Sequence, residues 1–422
     1  MVEVWLPYGK TEVCVRVETK NLLNVIEPQE RTVVGDVQSE IERSLTNPID
    51  SQPLVEIAKS SASASILLED MGTSLNSLIV SPVLKALNSA GLGNENVSIV
   101  VSCDLFRVHP PEGGTRILSD EILSTTKVLL HTPGAGEYIN IGKTSRGTPV
   151  NVEKRIVEAD LKIVIGSVKP HAFFGYGGPM TSATLGILSL DSIHQNLMLS
   201  LDSEVGNGVC IGNPVFDDAV EASGKIGADF AMNIVVNRRS ELIGVFSGDA
   251  HKSFMEAVNF VEETCKSPID TLAEVTFISP GGFPLDATLQ ESSLCLDNAV
   301  KATKMGKTIV LVAECSMGLG SKEFREAIKG FSDVKTLEKK LRKKPNVAGL
   351  MVHHMAMVLG AMKNAIIVSI LPNYCIPESL NIELARTANE GLRKALEFGG
   401  GNSKVSLIPF GNMTIPEAKI SE

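Results

Sequence analysis

The run Leu161-Lys-Ile-Val-Ile-Gly166 constrains the fold of this chain more than any other segment. It is short, mostly apolar and closed by glycine, as suits a parallel strand covered by helices on both faces. Ser167-Val-Lys-Pro-His171 follows, then the glycine-rich Gly175-Tyr-Gly-Gly178, then a helical stretch with His194 in Ser192-Ile-His-Gln-Asn196. Ligands of open α/β sheets gather at the carboxyl ends of strands. The segment therefore sets an imidazole and several side-chain-free amides where an anionic or nucleotide ligand would sit.

The same alternation extends in both directions. Residues 2–17 read as a β-hairpin, with Val2, Val4 and Leu6 alternating, a turn at Tyr8-Gly9-Lys10-Thr11, and Val13, Val15 and Val17 alternating back. Strands are expected at 66–68, 97–101, 128–130, 233–236 and 241–246, separated by helices such as 76–89 and 252–265. Lys266-Ser-Pro268 reads as a linker, after which a second series starts. It has strands at 275–279, 308–312, 365–370 and 405–408 and helices at 288–305, 322–330, 334–343, 348–363 and 380–398. The expected fold class is α/β, with two domains of mostly parallel sheet flanked by helices and an active-site cleft between them. The domains are expected at 1–266 and 267–422. A chain of 422 residues is indeed too long for one core.

Composition excludes several classes. With 43% hydrophobic and 21% charged residues the chain is an ordinary globular one. A net charge of −10 argues against general nucleic-acid binding. The basic cluster Lys339 to Lys344 reads as a solvated helix face. No run of 18 apolar residues exists, so no membrane span is expected. The N-terminus lacks the basic region and cleavage site of a signal peptide. Seven scattered cysteines without a C-x-x-C pair fit reduced thiols in a cytoplasmic protein.

Several short motifs, taken in order, carry a likeness. They are Leu6-Pro-Tyr-Gly9, Gly142-Lys-Thr-Ser-Arg-Gly-Thr-Pro-Val150, Gly166 to His171, Gly212-Asn-Pro214, Asp229-Phe230 leading to Asn233, and Gly248-Asp249. Gly281-Gly-Phe-Pro-Leu-Asp286 with Gln290, Glu314-Cys-Ser-Met-Gly-Leu-Gly320 and Pro409 to Pro416 complete the series. Together the chain resembles the lactate racemase family, enzymes that use a nickel-pincer nucleotide to invert 2-hydroxy acids. The resemblance implies two α/β domains with the site between them, and two acid/base histidines on opposite faces of the substrate carbon. It further implies a nickel-binding histidine, a lysine holding the cofactor covalently, and basic residues on the substrate. Inversion needs a proton acceptor and a donor on opposite faces, and histidine has a suitable unperturbed pKa.

Carried over residue by residue, His171 takes an acid/base position, His194 the metal position, and Asp286 and Gln290 the second-domain motif. Gly177 and Gly178 take the glycine pair of the cofactor loop. Four other positions depart from the pattern. Phe106 stands where the first acid/base histidine precedes an arginine, here Arg107, leaving His109 as the candidate replacement. Pro179-Met180-Thr181 follows the glycine pair without an attachment lysine. Glu69 to Ser74 lacks the substrate arginine, and Ser293 replaces a lysine. A covalent pincer cofactor is therefore not expected, although the resemblance leaves a bound nickel-pincer nucleotide open.

Other residues have plainer readings. His353 and His354 are adjacent on a helix, cannot share a metal through i,i+4 spacing, and read as structural. His131 follows a strand end and either faces the cleft or satisfies a loop. Two functions follow from the resemblance and its departures: a racemase or epimerase of a 2-hydroxy acid working by histidine acid/base chemistry, or a non-catalytic or differently catalytic relative that binds a small anionic ligand in the cleft. Either way the expected partner is a small anionic substrate.

Overall fold

The computed structural model describes residues 1–108, 117–202 and 205–419. Two six-stranded sheets dominate it. The first runs, edge to edge, Leu242–Gly248, Phe230–Val236, Leu161–Ser167, Ala64–Leu68, Val97–Val101 and Lys127–Leu130. All its neighbours are parallel except the Leu242–Gly248 edge strand. Ala64–Leu68 is buried at every position, which explains why it shows no alternation in sequence. Helices such as Thr73–Ser89 and Ala250–Cys265 cover the faces.

The second sheet is parallel throughout: Ile382–Ala385, Asn364–Val368, Thr303–Val312, Ala273–Ile278, Val405–Ile408 and Leu22–Val25. Its last strand comes from the start of the chain. The hairpin Val2–Tyr8 and Thr11–Val17 joins it, burying Val4, Leu6, Val15 and Val17 against Val275, Phe277 and Val310. Residues 2–25 therefore build on the second sheet, whereas the division expected at 266/267 put them with the first. Nor is Lys266-Ser-Pro268 a free linker: Lys266–Ile269 pairs in parallel with Ile415–Ala418. The chain crosses between the two sheets twice, once after Val25 and once near Lys266.

Two other expectations change. The helix expected at 288–305 is broken into Leu289–Ser292, a 3₁₀ turn and Leu296–Lys301, after which Thr303 already enters a strand. The helix expected from 380 begins at Ala388, because Ile382–Ala385 is an edge strand. Among the described residues no helix is long and apolar enough to cross a membrane.

Burial makes the hairpin indispensable to the second sheet. Burying a Val or Leu fully is worth about 1.5–3 kcal/mol, so four such side chains supply an amount comparable to the 5–15 kcal/mol stability of a typical domain. Deleting residues 1–26 should therefore leave the second sheet unable to fold, seen as loss of a cooperative thermal transition and of soluble yield.

Candidate functional site

Winding of the first sheet reverses between Ala64–Leu68 and Leu161–Ser167, since Val97–Val101 follows on one side and Phe230–Val236 on the other. Such a reversal opens a crevice at the carboxyl ends of the two strands. Glu69 and Lys169 leave those ends and meet there, Lys169 Nζ lying 3.0 Å from Glu69 Oε1. The other oxygen of Glu69 accepts the Ser167 amide at 2.9 Å. Gly166 lets Glu69 cross: a Cβ on Gly166 would stand 2.7 Å from that carboxylate.

Around this pair the crevice is lined by Asp70, Ser102, Asp104, Phe106, His171 and Ser182. Its free volume is about 30 Å³, room for roughly one water molecule. Asp104 is held ionised: burial works against its charge, but Arg107, then Lys169, the Phe106 amide and His171 outweigh it and lower its pKa. Arg107 grips it only loosely, at 3.8 Å.

His171 ends the short strand Lys169–His171, paired antiparallel with Gly175–Gly177. The turn between them aims the amides of Phe173 and Phe174 at His171 Nδ1, at 3.1 and 3.3 Å. Two N–H donors on Nδ1 fix the tautomer: Nδ1 is the acceptor and Nε2 carries the proton. Burial pushes the imidazole pKa down to about 3, with Lys169 and His354 adding to the effect and Asp104 opposing it. His171 is thus a neutral hydrogen-bond donor through Nε2–H. Its ring meets Phe106 edge-on at 4.6 Å and Phe174 at 4.8 Å.

Phe106 also joins the two domains. Its carbonyl accepts from Gln290 Nε2 at 3.4 Å, and the Val108 amide donates to Glu291 Oε1 at 3.2 Å. Gln290 Oε1 in turn accepts from Ser321 N at 2.9 Å. His171 and Gln290 therefore border one seam, bridged by Phe106. Asp286 does not share it by any direct bond. Fully buried, it accepts from Gly9 N at 2.6 Å and Glu314 N at 3.1 Å, tying the N-terminal hairpin turn to the second sheet.

The glycine loop proves to be packing and not a cradle. A Cβ on Gly178 would meet Phe254 at 2.9 Å, and one on Gly175 would lie 2.2 Å from the Val209 carbonyl. Only Gly177 faces the site, 3.4 Å from the His171 ring by the same measure. Gly175→Ala should cost about 2–4 kcal/mol, combining positive-φ strain with a backbone clash. Gly212→Ala, also at positive φ but in open space, should cost less; urea denaturation of the two variants compares them.

His194 lies half-buried on the helix Leu190–Met198, its pKa lowered by burial against the pull of Asp191. No hydrogen bond or ring contact joins it to His171. Among the described residues no three His, Cys, Asp or Glu side chains gather as a metal set. His109 lies outside the described residues. His131 satisfies a loop: Nδ1–H donates to the Gly186 carbonyl at 2.8 Å, leaving Nε2 to accept the Tyr138 hydroxyl at 3.1 Å.

The residues present do not fit a covalently held pincer nucleotide. Met180 is buried against Ser223, and the Thr181 hydroxyl donates to the Tyr176 carbonyl inside the core. Neither offers an amine, and the glycines that would approach a cofactor are already in contact with protein.

Two residues of the crevice were not singled out by pattern: Glu69 and Asp104. Glu69 and Asp104 follow strand ends, the one signal that marks them.

Sequence models of the lactate racemase N-terminal and C-terminal domains match residues 8–208 and 269–415. The lactate racemase of Lactiplantibacillus plantarum is 26% identical over 97% of this chain and 99% of its own length. That of Thermoanaerobacterium thermosaccharolyticum is 24% identical over 99% and 100%. The solved lactate racemase apoprotein from the latter organism superposes with a TM-score of 0.86 at 23% identity, covering 99% of this chain and all of that one. A Thermotoga maritima protein of known structure superposes less closely, at 0.62 and 13% identity over 90% of this chain and 98% of that one.

Proposed function

Because the chain belongs to the lactate racemase family, we propose that it binds a small 2-hydroxy acid in the first-sheet crevice and does not invert it by two-histidine chemistry. The observation that carries this is the fixed state of His171. To take a proton at Nε2, the ring would have to carry its other proton on Nδ1, which already accepts two backbone amides. The position opposite holds Phe106, which cannot exchange protons.

Binding is chemically reasonable. Lys169 and Arg107 supply two cations against the carboxylates of Glu69, Asp70 and Asp104. A multiply charged anion such as phosphate would meet net repulsion there, whereas a hydroxy acid brings a single carboxylate for the cations and a neutral hydroxyl beside it. His171 Nε2–H donates to the ligand and, being fixed in orientation, pays little entropy to do so. Entry requires the Phe106 ring to turn aside, since the free volume otherwise holds about one water.

The test is calorimetric titration with L- and D-lactate, and with inorganic phosphate as the multiply charged anion. Lactate should bind and phosphate should not. Lys169→Met should weaken lactate roughly 10- to 150-fold, the range for losing a hydrogen bond to a charged group. Equal binding of phosphate, or lactate affinity indifferent to Lys169, overturns the proposal.

A further inference from the structure

We propose that His354 is a site residue, the second-domain group that receives the hydroxyl of the ligand held at His171; this rests on the binding function above. The helix Val347–Gly360 is apolar almost all round, yet it carries His354 against the first-domain residue Phe173. Met351, one turn earlier on the same face, lies 3.7 Å from the Gln290 amide that reaches the Phe106 carbonyl. His354 itself meets the Phe173 ring at 5.2 Å, and Phe173 packs on Phe106 at 5.1 Å. His171 and His354 are thus linked through Phe173, whose ring lies 6.4 Å from the one and 5.2 Å from the other.

The His354 Nε2 is buried and makes no hydrogen bond among the described residues. A buried polar atom left alone is costly and is ordinarily matched by a partner. His353 beside it has a similarly bare Nε2, but it faces Glu338 and Arg342 on the neighbouring helix and not the seam. Around His354 the charged group that bears on it is Asp297, which is itself engaged by Asn207, and His171 feels His354 across the seam. Both imidazoles are neutral. One neutral donor on the first domain and one unsatisfied imidazole on the second suit a hydroxyl group, which donates and accepts at once. A ligand reaches both imidazoles when the Phe106 and Phe173 rings turn aside, since Phe106 packs on His171 and Phe173 touches both histidines.

Lactate and propionate differ only by the hydroxyl and serve as probes. Wild-type protein should prefer lactate about tenfold, the worth of one buried hydrogen bond. His354→Phe should abolish the preference while leaving propionate affinity unchanged, and His354→Gln, which restores a polar group, should recover part of it. Preference retained in His354→Phe overturns the assignment. Failure of the wild-type protein to bind either acid would instead sink the binding function. The juxtaposition is then judged by a second readout: in histidine-labelled protein, His171→Asn should move the His354 ring resonances, and unmoved resonances overturn it. Thermal melts of each variant check that folding is intact.

Discussion

Purified protein should interconvert D- and L-lactate at a rate at least 10²–10⁴ below ordinary enzyme turnover, the factor expected from one missing positioned acid/base group. Phe106 removes that group, and the Nδ1 bonds of His171 disable the other. Residues 69–74 contain no arginine where the resemblance implies one for the substrate, which would further loosen orientation of the reacting carbon. These losses act on one positioned substrate and do not simply multiply. The assay is exchange of the C2 hydrogen of lactate with solvent deuterium, alongside chiral analysis, on protein isolated from its native host and supplied with nickel. Ordinary turnover that disappears in His171→Ala would defeat the proposed function, and His109 would then be the residue to substitute next.

A second large effect concerns acid. In the unfolded chain His171 titrates near 6.5; in the folded protein burial holds it down to about 3. Between those values the unfolded state binds the extra proton, so stability rises with pH there. The contribution is complete above about pH 6.5 and is lost as pH falls toward 3. Each unit is worth about 1.4 kcal/mol, so His171 alone should remove about 2 kcal/mol between pH 7 and pH 5. His131, His194, His353 and His354 are shifted in the same direction by burial and add to the slope. Glu291, raised by burial, opposes it at lower pH. His171→Asn keeps an acceptor for the Phe173 and Phe174 amides but cannot titrate. Urea denaturation from pH 7 to 5 should therefore show a visibly flatter stability loss in that variant; identical slopes would mean that His171 is already solvated.

Much of this was legible in the chain before any coordinates, and the exceptions have physical causes. The hairpin at 2–17 announced itself by strict alternation, because one of its faces is covered and the other wet. Its attachment to the second sheet did not, since Leu22–Val25 is only four residues long and its partner Val405–Ile408 lies almost the whole chain away. Ile382–Ala385 was absorbed into the following helix because four residues fit either period. At the site, His171 stood out by following a proline at a strand end. Asp104 and Glu69 did not, because their importance comes from crossing between strands that only folding makes neighbours. His354 looked structural because its helix is apolar and its nearest ring, Phe173, belongs to the other domain. The glycine loop misled in the opposite sense: its residues are small so that protein atoms can close on them, and a ligand-cradling loop has the same composition.

The edge strand Leu22–Val25 has a consequence for synthesis. It is made before every other strand of the second sheet, and well before the strand it pairs with, Val405–Ile408. Throughout elongation the hairpin and this strand must wait with Leu6, Val15 and Val17 uncovered, while the first sheet has every strand it needs once Gly248 has appeared. The growing chain thus carries an uncovered apolar hairpin until the second sheet has been made. Nascent copies on one messenger are at risk of pairing hairpin to hairpin, and a factor that shields apolar segments near the exit tunnel would act on this protein at residues 2–25.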